Sequence, residues 1–529
     1  MPLIDLHTLP ADQEFQSDLL VVGAGIAGLV LADALRGSGR HVDVLEAGGK
    51  SIELESQALF AAEMAASPHL GTTEGRFRVY GGSSTRWGGQ LLPLSPHDFA
   101  LRPHVPNSGW PLDLTDLSPY LHQCETLLGV NHFPYSQQLL DHLPRPYPEI
   151  SESELLPRFS KWAPFRCRNL ARSLGRRCQD DYRTRIFLHA SVTAIVLHGD
   201  GRHVEGVQVR TLHGRIFRFR ARQVVIAAGT IESTRLLLAS GGVNHGGIGN
   251  HSDQLGRWFH DHLSVKAAVL HPVVRRHLLH RLAPWYIGAT RHTLKIETTA
   301  AWQLREGCLN VMGHLVFEAP DISGFAWMRQ QLQARQRGSN EGFLVSAPSL
   351  KQLPAECLDM AYLAWKRLMC NRRWSPASGD ITLYIDTEQQ PNPESRIRLS
   401  ENRDAIDMPK AVVQWQWGET ERQALAAYRQ LFERQWHSWN FGAISWLENF
   451  DPGSGWEVNV SDIYHPMGGT RMAAHPSQGV VDPQLRVHGL DNLFVASCSV
   501  FPTGGSSNPT LTLMKLTLRL AESLRTLSS

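Results

Sequence analysis

The chain has 529 residues, 42% hydrophobic and 19% charged, which excludes whole-chain disorder and leaves ample length for more than one buried core. Lys and Arg total 52 against 50 acidic residues, so the net charge of +2 gives no electrostatic footprint for nucleic acid. Seven cysteines without a C-x-x-C pair suit free thiols in a reducing, cytoplasmic compartment rather than a disulfide framework.

Residues 1–18 carry acidic side chains and no Lys or Arg, so the apolar run Leu19–Leu35 lacks the positive flank of a secretory signal. Glycines at 23, 25 and 28, with Asp33, also count against a membrane span. The run reads instead as a strand Asp18–Val22, a turn Gly23-Ala24-Gly25-Ile26-Ala27-Gly28, and a helix through Leu29, Leu31, Ala34 and Leu35. A second strand, His41–Leu45, ends at Glu46, 18 residues after Gly28, which is close to the spacing of a dinucleotide fingerprint. In such a unit Gly23 makes the turn, Gly25 lets a pyrophosphate approach the backbone, and Gly28 lets helix pack on strand. The phosphates rest on the helix N-terminus, where free N–H groups and the dipole favour anions, and Glu46 accepts a ribose hydroxyl. The plainer alternative is a glycine-rich turn in an unrelated α/β sheet.

An arginine run at 166–185 reads as a solvated face or as an attraction for an anionic partner. Residues 183–240 predict three strands with hairpin turns at 198–202 and 211–215, ending in a buried strand Gln223–Ala228, then Gly229 and a helix from Ile231. His260, Asp261 and His262 lack a further ligand motif, so no metal is expected there. Strands are expected in 301–318 and 381–390, and amphipathic helices near 325–336 and 355–371. The second of these helices reads either as packed on the rest of the chain or as facing a membrane surface or partner. A strand at 492–497, a Gly/Pro/Ser loop and a helix from Thr510 to about Thr526 follow.

Strand–helix units at both ends around a sheet-rich middle predict an α/β fold. A Rossmann-type nucleotide domain is assembled from the discontinuous segments 1–95, 185–265 and 455–529. Residues 96–184 form a connecting, lid-like and substrate-facing segment. Residues 266–454 form an α+β substrate-binding domain with a mainly antiparallel sheet.

Four segments carry a resemblance beyond this. They are the fingerprint ending VLEAGG, the run YGGSSTRWGGQ at 80–90, the run VVIAAGTIESTRLLLAS at 224–240, and the stretch from His465 that begins HPMGGTRMA and continues through SCSVFPTGGSSNPT. A weaker echo is EQQPNPESRIRLS at 388–400. Together, in this order, they resemble the glucose–methanol–choline (GMC) oxidoreductases over nearly the whole chain. The resemblance implies bound FAD and a two-domain fold. It implies cofactor contacts at Gly23, Gly25, Ile26, Ala27, Gly28, Glu46 and Ala47, and at Gly82, Ser83, Arg86, Trp87 and Gly88. Further contacts are implied at Val192, Ala228 and Gly229, and at Ser497, Cys498, Asn508, Pro509 and Thr510.

By the same resemblance His465 is the catalytic base and Asn508 occupies the position where the family carries His or Asn. The His–Asn pairing is similar to the pyranose oxidase-like branch. Some relatives link FAD covalently through a histidine at the position of Arg86, and a guanidinium cannot form that bond, so the FAD is expected to be non-covalent. Whether Arg86 faces the flavin or makes a structural ion pair stays open.

The chemistry is consistent with this. Oxidising an alcohol removes a proton from oxygen and a hydride from carbon, and no side chain accepts hydride, so a cofactor is required. His465 takes the proton, flavin N5 takes the hydride, and the substrate is a sugar, glycoside or other polyhydroxy metabolite. The alternatives are a tailoring oxidation in natural-product assembly, a flavin-retaining lyase, or a non-catalytic flavin-binding protein. Oxygen, a quinone and a partner protein are all compatible electron acceptors, and the oligomeric state is open.

Overall fold

The computed structural model describes residues 3–526, apart from 143–149, 151–152, 242–245, 275–277, 279–280, most of 318–379, 449 and 451–459. The helices expected near 325–336 and 355–371 lie outside the described residues. Among the described residues, no helix is long and apolar enough to cross a membrane.

Two sheets organise the chain. The first has eight strands in the order Ile4–Asp5, Thr184–Leu188, Val42–Leu45, Glu14–Val22, Ile216–Ile226, Val204–Arg210, Ser191–Leu197, with Leu493–Val495 also paired to Ile216–Ile226. Its members up to Ile216–Ile226, and Leu493–Val495, pair in parallel; the last two continue as an antiparallel meander. The strand Glu14–Val22 is central, so Leu19, Leu20 and Val21 are fully buried, as parallel strands covered on both faces must be. The helix Ile26–Ala34 follows it and packs on the final helix Thr510–Thr526, with Leu29, Val30, Leu31, Leu511 and Met514 fully buried. A two-domain α/β architecture therefore holds, with a nucleotide-type sheet drawn from both ends and the middle of the chain.

The second sheet is antiparallel and has nine strands, among them Leu155–Trp162, Leu263–Pro272, Thr290–Thr298, Val311–Phe317 and Ile381–Thr387. Side chains alternate between its faces. Ile296, Val311, Leu383 and Ile385 share a core with Leu425, Tyr428 and Phe432 of the helix Glu419–Trp439. The Tyr428 hydroxyl donates to the Ile296 carbonyl at 2.7 Å, fixing the helix to that face. The opposite face carries Lys295, Glu297, His314, Tyr384, Asp386, Ser264 and Lys266, with Met312 as an apolar member, and it is mainly polar.

One expected strand is wrong in part. Of the stretch 301–318, only Val311–Phe317 is a strand, while Ala300–Glu306 is a helix. Thr299 caps it by accepting from Trp302 N, and Gly307 stops it in the left-handed region at φ 65°. The three strands read in 183–240 are four, because His189, also left-handed at φ 55°, breaks the first into Thr184–Leu188 and Ser191–Leu197.

Candidate active site

A cavity of about 280 Å³ lies at the carboxyl ends of the parallel strands, where open α/β sheets bind ligands. Its wall includes Gly23, Gly25, Ile26, Ala27, Glu46, Ala47, Gly82, Ser83, Val192, Ala228, Gly229, Ser497, Cys498, Pro509, Thr510 and His465. Segments separated by hundreds of residues thus meet on one surface.

The glycines fit a dinucleotide. Gly23 sits at φ 107°, and a Cβ there would meet the Ala227 carbonyl oxygen at 2.5 Å. A Cβ on Gly28 would come within 1.9 Å of the Gly23 carbonyl oxygen, so Gly28 shapes the turn from behind rather than lining the cavity. Gly25 has nothing within 4 Å of its missing Cβ, which leaves the approach to the first turn of the helix open for a phosphate. Glu46 is 5% exposed, and its carboxylate accepts from Ala24 N at 3.1 Å and Gly48 N at 2.9 Å. Burial pushes it up to about 7, against those two bonds and the nearby Arg78. A carboxylate has about four lone-pair sites, so acceptors remain for ribose hydroxyls.

Arg86, Trp87 and Gly88 do not reach the cavity wall. The Arg86 guanidinium lies over the Phe77 ring at 5.3 Å, Trp87 Nε1 donates to the Arg168 carbonyl at 2.8 Å, and a Cβ on Gly88 would meet the Trp162 ring at 2.9 Å. In their place the wall takes Phe60, Arg76, Arg78 and Glu232, which sequence reasoning missed. Arg76 Nη1 pairs with Glu232 Oε1 at 3.1 Å, Arg78 Nη2 donates to Ser191 Oγ at 2.9 Å, and both guanidiniums lie over the Phe60 ring. The signal was the alternation Arg76-Phe77-Arg78 just ahead of the glycine loop.

His465 stands at the end of this cavity in a chain of hydrogen bonds. His262 Nε2 lies 2.7 Å from the Gly505 carbonyl oxygen, His262 Nδ1 lies 3.0 Å from His465 Nδ1, and Asn508 Nδ2 lies 3.1 Å from His465 Nε2. A carbonyl only accepts, so His262 carries its proton on Nε2. Between two facing ring nitrogens one donates and one accepts, and with His262 Nδ1 as the acceptor His465 donates from Nδ1. That leaves the lone pair of His465 on Nε2, where Asn508 donates to it. Burial, reinforced by His262, lowers His465 to about 3, so the ring is neutral across the ordinary pH range.

Asp261 supports the same point from below. Its fully buried carboxylate accepts from His262 N at 2.7 Å and from His465 N at 2.9 Å, and His69 Nε2 lies 3.2 Å away. Asp462 accepts from Leu70 N at 2.6 Å and Gly71 N at 2.8 Å, which holds the turn carrying His69. The sequence marked His260, Asp261 and His262 only as a metal possibility to be set aside; their placement beneath His465 was not foreseen.

Comparison with known proteins agrees with this architecture. A family model described as GMC oxidoreductase matches residues 391–517, and one described as FAD dependent oxidoreductase matches residues 18–245. The fructose dehydrogenase large subunit of Gluconobacter japonicus is 23% identical over 97% of this chain and 98% of its own. Paromamine 6'-oxidase of Streptomyces fradiae is 24% identical over 96% of this chain and 91% of its own. Among solved structures, pyridoxine 4-oxidase from Mesorbium loti shares the fold with a TM-score of 0.56 at 18% identity, covering 96% of this chain and 98% of that one. The chain is thus homologous at family level to the GMC oxidoreductases, and that homology to active flavin oxidoreductases makes it an enzyme.

Proposed function

We propose that the protein oxidises a CH–OH group of a sugar, glycoside or other polyhydroxy compound, with His465 as the base. The observation that carries this reading is the hydrogen-bond chain from Gly505 through His262, which leaves the His465 Nε2 lone pair beside the Asn508 amide. A substrate hydroxyl inserted between them donates to His465 Nε2 and accepts from Asn508 Nδ2. His465 then removes the hydroxyl proton, and Asn508 holds the oxygen as the carbonyl forms. Bound FAD supplies the acceptor for the hydride that leaves the same carbon.

Gly23, Gly25, Ile26, Ala27, Glu46 and Ala47 hold the adenosine and pyrophosphate part, and Gly82, Ser83, Val192, Ala228, Gly229 and the 497–510 loop hold the rest. Arg86, at the position where a linking histidine would stand, keeps the FAD non-covalent. The chain divides for this purpose as the sequence suggests, with 1–95, 185–265 and 455–529 on the cofactor side and 266–454 on the substrate side. The His465/Asn508 pair aligns the protein with the pyranose oxidase-like branch. Relatives named a fructose dehydrogenase and a paromamine 6'-oxidase support a polyhydroxy substrate. Oxygen, a quinone or a partner protein regenerates the cofactor, and the free thiols suit a cytoplasmic setting.

The test is anaerobic. Holoenzyme mixed with a panel of alcohols and sugars bleaches the visible flavin band with at least one of them, and oxygen or quinone restores it. A panel that leaves the band intact, or product formed without bleaching, refutes net oxidation.

A further inference from the structure

We propose that Lys295 and Asp386 form a second contact for the substrate, binding a hydroxyl group that is not itself oxidised on a neutral polyhydroxy molecule. This deepens the reading above and rests on it.

The register of the antiparallel sheet places the pair. Lys295 stands opposite His314, and His314 stands opposite Tyr384. One step along, Met312 stands opposite Asp386, which stands opposite Ser264. Opposed residues share a face, and residues two apart on a strand share it too. The apolar residues between them are spent on the helix Glu419–Trp439, so these polar side chains point the other way. That way lies the loop that carries Asn508: Ser506 Oγ donates to Glu297 Oε1 at 3.1 Å, and Arg158 Nη1 donates to Ser507 Oγ at 3.4 Å, both partners standing on the same face as Lys295.

Lys295 is the informative member. It is 6% exposed, yet its ammonium hydrogen-bonds to no described residue and has no described carboxylate within ion-pair distance. Burial lowers it to about 8, and Asp386 partly restores it, so the group is largely charged at neutral pH. The stem is buried while the ammonium, with three donors and no described protein acceptor, is left for water or a ligand to meet. Asp386 is nearby and oriented: Oδ1 accepts from Ser264 Oγ at 2.6 Å, and Oδ2 lies 3.1 Å from His314 Nδ1.

The charge count decides the ligand class. Lys295 is balanced by Asp386, and Arg158, paired with Glu297 at 2.6 Å, adds a second neutral couple on the same face. An anionic substrate meets two couples that are already neutral, with Lys266, opposite Tyr384, exposed outside them, whereas a hydroxyl can accept from Lys295 and donate to Asp386 at once. The Tyr384 ring, stacked on His314 at 5.7 Å, offers an apolar face beside them for the carbon skeleton.

Two readouts separate this proposal from the proposed reaction. Binding is read from the change in the oxidised flavin spectrum on titrating a polyol, its deoxy analogue lacking one hydroxyl, and the matching carboxylate. Chemistry is read from anaerobic flavin reduction. In Lys295→Met, polyol binding weakens by roughly 10- to 100-fold, the share of one charge-assisted hydrogen bond. The deoxy analogue loses at least tenfold less, and Lys295→Arg recovers part of the polyol affinity. Equal losses for polyol and deoxy analogue, or an unaltered polyol titration, overturn the proposal. A carboxylate that binds wild type more tightly than the polyol and loses most in Lys295→Met overturns the neutral-ligand assignment. Lys295-dependent polyol binding without flavin reduction supports this site while refuting the reaction.

Discussion

Replacing His262 by Leu tests the proton assignment at His465 directly. The ring is buried, so Leu fills most of its volume and two partners lose their bond: the Gly505 carbonyl, at 2.7 Å, and the His465 Nδ1–H, at 3.0 Å. A buried polar group left unpaired costs about 1–3 kcal/mol, and that energy is what holds the proton on Nδ1 of His465. Once the bias is removed, His465 can carry its proton on Nε2, where it has no lone pair to offer. At about 1.4 kcal/mol per decade, the limiting rate of anaerobic flavin reduction falls roughly 5- to 150-fold. His262→Asn keeps an amide oxygen near the position of Nδ1 and recovers part of the rate, while the bond to Gly505 stays lost. Stopped-flow reduction at saturating substrate, with FAD content measured in each variant, gives the comparison. A Leu variant that retains FAD and reduces within twofold of wild type refutes the assignment, as does an Asn variant no better than Leu.

His465→Ala slows flavin reduction by roughly 10²–10⁴, and Asn508→Ala slows it too; in the double variant the losses are less than additive, because both groups act on one oxygen. Additive losses would separate their roles. Acid precipitation releases FAD into the supernatant, and Glu46→Ala lowers the FAD content of purified protein; colour retained in the pellet refutes non-covalent binding. His260 and His292 are buried neutral and lowered to about 4 and 3, each chiefly by burial. The unfolded chain therefore binds more protons below pH ~6.5, and stability falls as pH drops from there towards the folded values. These two alone give a slope of ~2.5 kcal/mol per pH unit near pH 5, read as a fall in the denaturant midpoint. A midpoint constant between pH 6.5 and 4.5 would contradict their neutral burial.

The local parts of this fold were legible because their signals lie within a few residues. Gly23, Gly25, Gly28 and Glu46 specify one βαβ unit, and the final helix was read at its observed bounds, Thr510–Thr526. Ala300–Glu306 was misread because the alternation of Ala, Trp, Gln and Leu imitates a strand, although Thr299 and Gly307 were present as cap and stop. The support of His465 was not legible in any window. His262 lies 203 residues from it, and the two histidines meet through the pairing of the Leu263–Pro272 and Val460–Asp462 strands and the bridge between His260 and Met467. Phe60 and Glu232 were missed for the same reason. Each looks ordinary in its own segment and acquires meaning from a neighbour far along the chain.

The cofactor cavity is closed by a segment synthesised long after the glycine turn that opens it. Gly28 leaves the ribosome early, but Ser497, Pro509 and Thr510 complete the same wall, and the helix Thr510–Thr526 covers the helix Ile26–Ala34. At ~5–20 residues per second, roughly 25–100 s separate the emergence of the two halves. Throughout that interval the first βαβ unit exposes an apolar helix face with no lid and a phosphate turn with no opposite wall. The complete cofactor wall therefore exists only once Ser497, Pro509 and Thr510 have emerged and folded back on the glycine turn.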